Sequence, residues 1–596
     1  MMEMAPYISF NLHSLQRQGM MVMAGLVMLS ACQTSNPNLI SGGVIGQQTD
    51  DVITPLPAPL SDSLASNFLM ARSAVYANDL SSATDFFTKS LVLDDNNPDL
   101  LRHAFLTQYQ SGHIEEAAEI ARRMEALNLV MPLASEPALI EAALAQDWEA
   151  VDALSASLAQ SDTSVIIAGV THSWSLLAQG QFAGAVTSMS QTATLLENDV
   201  GLSPAFMELQ IIHLLEAGGA REEALSQLRN LRLLQNYPSH IQLSIAASYQ
   251  RLGDADTAKD ILTTYLSSSF DGEAIWQQFE TGTHHLLAPM TITRGLAQSL
   301  LDTSWLDFEK SIRSLLLARA QLSLLLAPDF DAAHFVIAQE YLNLNQPDSA
   351  TEHFTKIPAD SAYHLPLQLS YFDYLRRVEK TEDALRHIQT IRLDHDENER
   401  VILAQADTLR ALSRFEEAIP LYRQLEGGRF DTARLHRNLA ICLERIGADE
   451  EAERYFLSSL SRNPDDAYTL NYLGYWYADE NRNLDEAINY IKKAVELRPS
   501  SGFFADSLGW VYYRLGDLDN AVIWLERAIQ LEPLDPVIIE HLADAYWQVG
   551  RDYEAVYKWQ FARTQPELDD ESAARLDNKL KQAELPDGQP LANDGF

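Results

Sequence analysis

Two cysteines, 15 histidines and 83 Asp and Glu side chains are the groups in this chain able to do nucleophilic, metal or acid–base chemistry. Cys442 lies between Leu439 and Leu443 in an amphipathic helical stretch, a position for packing rather than attack. The adjacent His284 and His285 lack a carboxylate at helical spacing and make a poor metal-ligand set. The acidic pairs Glu115–Glu116 and Glu416–Glu417 fall at helix starts, where carboxylates complement the positive end of the helix dipole. There is no phosphate loop ending in GK[ST], no HExxH and no GxSxG. The sequence therefore predicts no enzyme, no metal and no cofactor. With so few cysteines it also excludes a disulfide framework or a Cys-based zinc cluster. Against those 83 carboxylates stand 43 Lys and Arg, a net charge of −40. That excludes nucleic acid along the body of the protein, since phosphate contact needs a basic face. A partner steered by charge would be neutral or basic.

One cysteine does carry a chemical expectation. Met20 to Ala31 is an uncharged apolar run preceded by Arg17, too short to span a bilayer but matching the apolar core of an export signal. It ends in Leu29-Ser30-Ala31-Cys32, which resembles the bacterial lipobox. The resemblance implies a lipoprotein signal peptide over residues 1–31 and an acylated (palmitate-type) N-terminus at Cys32; a plain cleaved signal with an incidental cysteine is the competing reading. Residue 33 is Gln rather than Asp, which in such lipoproteins implies outer-membrane sorting, facing the periplasm. Residues 32–61, rich in Ser, Asn, Gly and Pro, read as a flexible tether with a reach of roughly 30 Å. No later segment is apolar enough to cross a membrane as a helix, so contact with the membrane is expected through the anchor alone.

From Ser61 onward the chain repeats itself. Small residues recur at Ala83, Ala117, Ala150, Ala185, Ala224 and Ala258, and again at Ala350, Ala384, Ala418, Ala452, Ala487, Ala521 and Ala555. Most steps are about 33 to 35 residues, the period of a helix–turn–helix array. The longer step from Ala185 to Ala224 predicts a loop near Asn198–Ser203. The long step from Ala258 to Ala350 predicts one degenerate repeat around Leu316, ending at Pro328, plus an insertion. Within a repeat, small residues such as Gly509 and Ala521 let two helices approach, and Tyr512 and Leu525 fill the space between turns. Gly253, Gly447 and Gly516 are placed to end first helices in the left-handed conformation, with Asp254 and Asp517 capping the helices that follow. Pro464, Pro499 and Pro533 close second helices. The expected fold is all-α, an α–α superhelical solenoid of about 14 repeats. A degenerate array spans 62–266, an insertion 267–291, a second array 292–565, and a capping helix with a tail 566–596.

The motifs Ala505-x2-Leu508-Gly509-x2-Tyr512 and Ala521-x3-Leu525-x2-Ala528-x4-Pro533, and their copies on either side, resemble tetratricopeptide repeats. The C-terminal run resembles uncharacterised proteobacterial repeat lipoproteins of that family. The resemblance implies an interaction scaffold without catalysis, whose first helices line a concave groove. Carried over residue by residue, the groove positions are Arg434, Arg437 and Asn438; Tyr468, Asn471, Tyr472 and Tyr475; Phe503, Asp506, Ser507, Trp510, Tyr513 and Arg514; then Glu540, His541, Asp544 and Trp547. Aromatic side chains interleaved with Arg, Asn and His suit a peptide-binding strip. Some of these rings could instead pack between neighbouring helices. The basic clamp of chaperone-binding members is not reproduced, since Ile441, Phe503 and Ser507 replace its polar groups. The resulting expectation is a lipid-anchored periplasmic adaptor for peptide segments of envelope proteins. The alternative is a glycan- or peptidoglycan-binding protein that uses the same rings. The partner and the oligomeric state stay open.

Overall fold

A computed structural model describes residues 63–77, 79–159, 164–200, 205–231, 238–265, 270–309, 315–566 and 568–583. The segments read as export signal and tether, Cys32 with them, and the tail beyond 583 lie outside the described residues. All regular structure among those described is helical, and most helices pair antiparallel with the next one along the chain. The chain divides into two compact units, Met1–Glu379 and Lys380–Phe596. Their boundary falls inside the stretch that the sequence reads as one array from 292 to 565.

The second unit begins with the helix Thr381–Asp394 and continues as five helix pairs. Their first helices are Glu399–Ala411, Ala433–Arg445, Ala467–Asp479, Gly502–Leu515 and Pro536–Gln548. The second helices are Phe415–Gln424, Asp449–Arg462, Leu484–Leu497, Leu518–Leu531 and Asp552–Arg563, and the helix Asp570–Gln582 ends the unit. Local chemistry sets these boundaries. Asn398, Thr432, Asp466, Ser501 and Asp535 accept hydrogen bonds from the first free amides of the first helices. Gly447 and Gly516 take φ of +75° and +77° at turns between paired helices. Second helices stop at Arg462, Leu497 and Leu531, two residues before each proline.

Twelve of the thirteen small-residue markers are completely buried, which identifies them as the contact point inside each pair. Ala150 is the exception. Asp147 caps its helix, and the buried position four residues past the cap is Val151. The marker there is displaced by one residue because the buried slot holds a larger side chain. Gly509 shows how tight the contact is: a Cβ built there would sit 2.6 Å from Leu525 Cγ.

The first unit starts with six pairs of the same kind, from Leu64–Tyr76 to the helix that begins at Ala255. The loop expected near Asn198–Ser203 is partly helix, since Phe182–Val200 runs on for 19 residues; Gly201–Pro204 lie outside the described residues. The expected insertion contains the helix Gly272–Thr281 and a short 3₁₀ turn at His285–Leu287.

The degenerate repeat predicted near Leu316 exists, as the helices Ile292–Glu309 and Leu316–Leu326, but it does not simply extend the stack. It folds back onto first helices of earlier repeats. Ile292–Glu309 packs on Val165–Ala178 and Ala205–Ala217, and Leu316–Leu326 packs on Pro98–Gln110 and Glu136–Leu144. Gly295 lies against Trp174, where a Cβ would come within 2.0 Å of the ring. Trp174 Nε1 donates to Ser299 Oγ at 2.9 Å, and that hydroxyl donates to Gln210 Oε1 at 2.6 Å. Gln210 and Gln298 then donate to the two oxygens of buried Asp302, at 2.8 and 2.7 Å. Arg319 reaches Glu136, 183 residues away in sequence, at 3.2 Å. Glu136 also accepts from Ser164 Oγ at 2.9 Å and from Tyr109 OH. The inner face of the first array is therefore filled by its own hairpin. A stack in which each repeat packs mainly on its neighbours describes the second unit and not the first.

Candidate functional site

The inner face of the second unit is built by the five first helices, and links between successive helices hold its side chains in place. On Ala433–Arg445, Arg434 Nη2 donates to Asp407 Oδ2 at 2.8 Å and Asn438 Nδ2 to Asp407 Oδ1 at 3.0 Å. Tyr422 OH donates to the same carboxylate at 2.6 Å. Arg437 donates to Asp466 at 2.7 Å, and its guanidinium lies 5.5 Å from the centre of the Tyr468 ring. Tyr468 OH accepts from Arg498 at 2.9 Å.

On Ala467–Asp479, Tyr472 OH donates to Glu444 at 2.9 Å, with its ring stacked 5.2 Å from Phe456. Burial pushes the phenols of Tyr472 and Tyr475 up; Glu444 adds to the first shift, Asp479 and Asp506 to the second. Both stay neutral donors at physiological pH. The buried Oδ1 of Asn471 has no hydrogen-bond partner.

Farther on, the rings form a stack. Trp510 lies 4.9 Å from Tyr513 and 4.2 Å from His541, nearly parallel to both. His541 Nδ1 is held by both oxygens of Asp506, at 2.9 and 3.0 Å. Burial pulls the pKa of this imidazole down, but Asp506, with Asp544 and Glu540 behind it, raises it overall, so the protonated form is favoured. Ser507 turns back to the Phe503 carbonyl at 2.9 Å, and Arg514 donates to the Asp479 carbonyl at 2.8 Å. At the end of the row, Arg575 and Lys579 from the last helix clasp Glu540 at 2.9 and 2.7 Å, and Lys579 also reaches Asp544. Asp544 accepts from Trp559 Nε1 at 2.9 Å, and Trp547 stands 5.5 Å from Trp559.

The expected residues sit on four successive first helices and differ in exposure. Arg434, Tyr468 and Phe503 are open to solvent. Arg437, Asn471, Tyr472, Tyr475, Tyr513, Arg514, Asp544 and Trp547 are half-buried. Asn438, Asp506, Ser507, Trp510, Glu540 and His541 are buried. Sequence reasoning missed Asp407, which gathers three donors, and the two cations of the last helix. A carboxylate in the middle of a predicted first helix, and cations 35 and 39 residues past Glu540, were the signals available.

The other chemical candidates are placed as follows. Cys442 is buried, and its thiol is pushed up to about 12, mainly by burial, so it stays protonated and unreactive. His284 stacks 4.6 Å from His285, and its Nδ1 accepts from the Leu286 amide. Burial pulls His284 down to about 3, which keeps it neutral. Among the described residues no group of three or more His, Cys, Asp or Glu is arranged to hold a metal ion, and no helix is long and apolar enough to cross a membrane.

Residues 400–465 and 472–536 each match the tetratricopeptide repeat family. A TPR repeat-containing protein of Pseudomonas aeruginosa is 27% identical over 187 residues, which are 31% of this chain and 32% of that protein. The alignment spans about a third of that relative's length. Among solved structures, that of the APC/C hetero-tetramer Cut9–Hcn1 aligns over 88% of this chain and 97% of its own, at 15% identity and a TM-score of 0.35. That of yeast Tom70 aligns over 87% and 95%, at 14% identity and a TM-score of 0.28. Neither family match is to a catalytic family.

Proposed function

From a chain that carries tetratricopeptide repeats, the helical units of protein–protein interaction scaffolds, we propose a lipid-anchored periplasmic adaptor whose second unit holds peptide segments of other envelope proteins. The observation that carries this reading is the row of first helices in that unit, which combines exposed Arg434, Tyr468 and Phe503 with the fixed ring stack of Trp510, Tyr513 and His541. Aromatic and Arg anchors on a preorganised surface lower the entropy cost of capturing an extended chain. The anchor and location rest on the Leu29-Ser30-Ala31-Cys32 sequence and on Gln33.

The test is in-cell crosslinking with identification of the captured proteins, comparing wild type with a Tyr468→Ala/Phe503→Ala double variant. Trp510 is a poor choice for this purpose, because its stack on Tyr513 and His541 ties two helices together. A set of envelope proteins captured by the wild type and lost in the variant supports the reading. Equal capture by both overturns it. Capture of peptidoglycan fragments in place of proteins would transfer the same rings to glycan binding. For the anchor, Cys32→Ala should abolish incorporation of labelled palmitate and move the protein from the membrane fraction to the soluble one.

A further inference from the structure

The helix Asp570–Gln582 is held differently from the helices it follows. Pro536–Gln548 buries nine of its thirteen residues, whereas Asp570–Gln582 buries two of thirteen, Ser572 and Leu576. Ala583, just past its end, adds one small buried side chain. With so little apolar surface removed from water, burial alone gives this helix a weak hold. Charge supplies the rest. Arg575 grips Glu540 in a fork, Nε to Oε1 at 2.9 Å and Nη2 to Oε2 at 3.0 Å. One turn on, Lys579 donates to Glu540 Oε1 at 2.7 Å and to the two oxygens of Asp544 at 2.7 and 2.6 Å. The side chains of Arg575 and Lys579 are 46% and 26% exposed, those of Glu540 and Asp544 only 5% and 14%. Water and salt therefore reach the cations, while the carboxylates are largely shut off from both. Among the described residues Glu540 accepts hydrogen bonds from this helix alone, whereas Asp544 also has Trp559 Nε1.

We propose that Asp570–Gln582 is a strap and not a fixed cap: it opens as a unit while the five helix pairs stay folded, and opening uncovers an acidic end of the array at Glu540 and Asp544. Ion pairs with exposed partners are screened by salt and contribute little at high ionic strength, so salt releases the strap. The element with the least buried apolar surface opens at the lowest free energy, ahead of global unfolding. Once it is open, water satisfies Glu540, and Asp506, Glu540 and Asp544 are left around a single imidazole, that of His541, on which all three act. The strap involves none of Arg434, Tyr468 and Phe503, so it stands or falls apart from the peptide-docking reading.

Hydrogen exchange of the full-length protein, read by mass spectrometry at 0.1 and 1 M sodium chloride, tests this, since the screening length falls from about 10 Å to about 3 Å between them. In 0.1 M salt the amides of 570–582 are expected to be about tenfold less protected than those of 536–548. In 1 M salt their protection should fall about tenfold further, together along the helix, while that of 536–548 holds. An Arg575→Gln/Lys579→Gln variant should show the open-strap exchange already in 0.1 M salt, with no further response to salt and with 536–548 protected as in wild type. If the variant unfolds as a whole, 536–548 will report it, and the wild-type salt series decides alone. Protection of 570–582 equal to that of 536–548, or unchanged by salt, overturns the proposal. So does a graded loss from the chain end inward, which is the fraying of any terminus.

Discussion

Asp302 is the residue with the most consequence for the first unit, because its carboxyl group is wholly buried where the hairpin meets the array. Burial pushes its pKa up from 3.8 to about 7, against two amide donors that favour the anion. The sign follows from linkage: between these two values the folded state holds a proton that the unfolded chain has released. This residue's contribution therefore favours folding most below pH 4 and is lost as pH rises to about 7. Hydrogen exchange in Ile292–Glu309 should accordingly be better protected at pH 5.5 than at pH 8, after correction for intrinsic rates. Asp302→Asn should flatten that dependence; an unchanged slope in the variant would rule Asp302 out as its source. At the other end of the hairpin, Arg319→Ala would strand the buried Glu136 carboxylate. A loss of about 3 to 5 kcal/mol is expected in the first unit by denaturant titration.

Paired helices are governed by the small-residue contacts between them and by the turns that join them, and the two kinds of glycine should respond differently to substitution. Gly509→Ala would drive a Cβ into Leu525 and 3.1 Å from its backbone nitrogen, with no flexible side-chain tip to yield. A cost of about 1 to 3 kcal/mol is expected from overpacking. Gly516→Ala meets no atom within 4 Å but must hold φ near +77°, which costs about 1 to 2 kcal/mol. Calorimetry on the two variants should therefore show both destabilised, with a changed interhelical packing signature in near-ultraviolet circular dichroism only for Gly509→Ala. Much of this scale is legible in sequence. The markers at Ala418, Ala452, Ala487, Ala521 and Ala555, the capping Asp254 and Asp517, and the turn glycines all act within one pair, over about 35 residues. Ala150 misleads by one position because an alanine beside a buried valine carries the same periodic signal.

At the scale of the molecule the two units obey different rules. The second is a stack in which each pair rests on its neighbours, so removing one whole repeat, residues 502–535, should leave a folded, shorter array with reduced stability. The first is closed by the hairpin, so removing residues 292–326 strips the inner face of several repeats at once. That deletion should abolish cooperative unfolding of the first unit in a thermal melt and make it sensitive to protease. If it behaved like the deletion of 502–535, closure by the hairpin would be unimportant. Net charge works at this scale too: −40 governs long-range steering.

The amino-acid sequence by itself determined the repeat period, the all-helical class and the order of helices in each pair. All of these depend on spacing along a few turns, where chain connectivity alone fixes which side chains meet. Only the tertiary structure decided that the first array is packed against its own hairpin, that Trp510 and His541 stack as buried rings, and that Arg575 and Lys579 neutralise Glu540 and Asp544. Those outcomes rest on contacts between segments distant in sequence, such as Trp174 with Ser299 and Glu136 with Arg319. Ser, Gln, Asp and Trp in such contacts leave no periodic trace, because the partner that buries each one lies on another helix far along the chain.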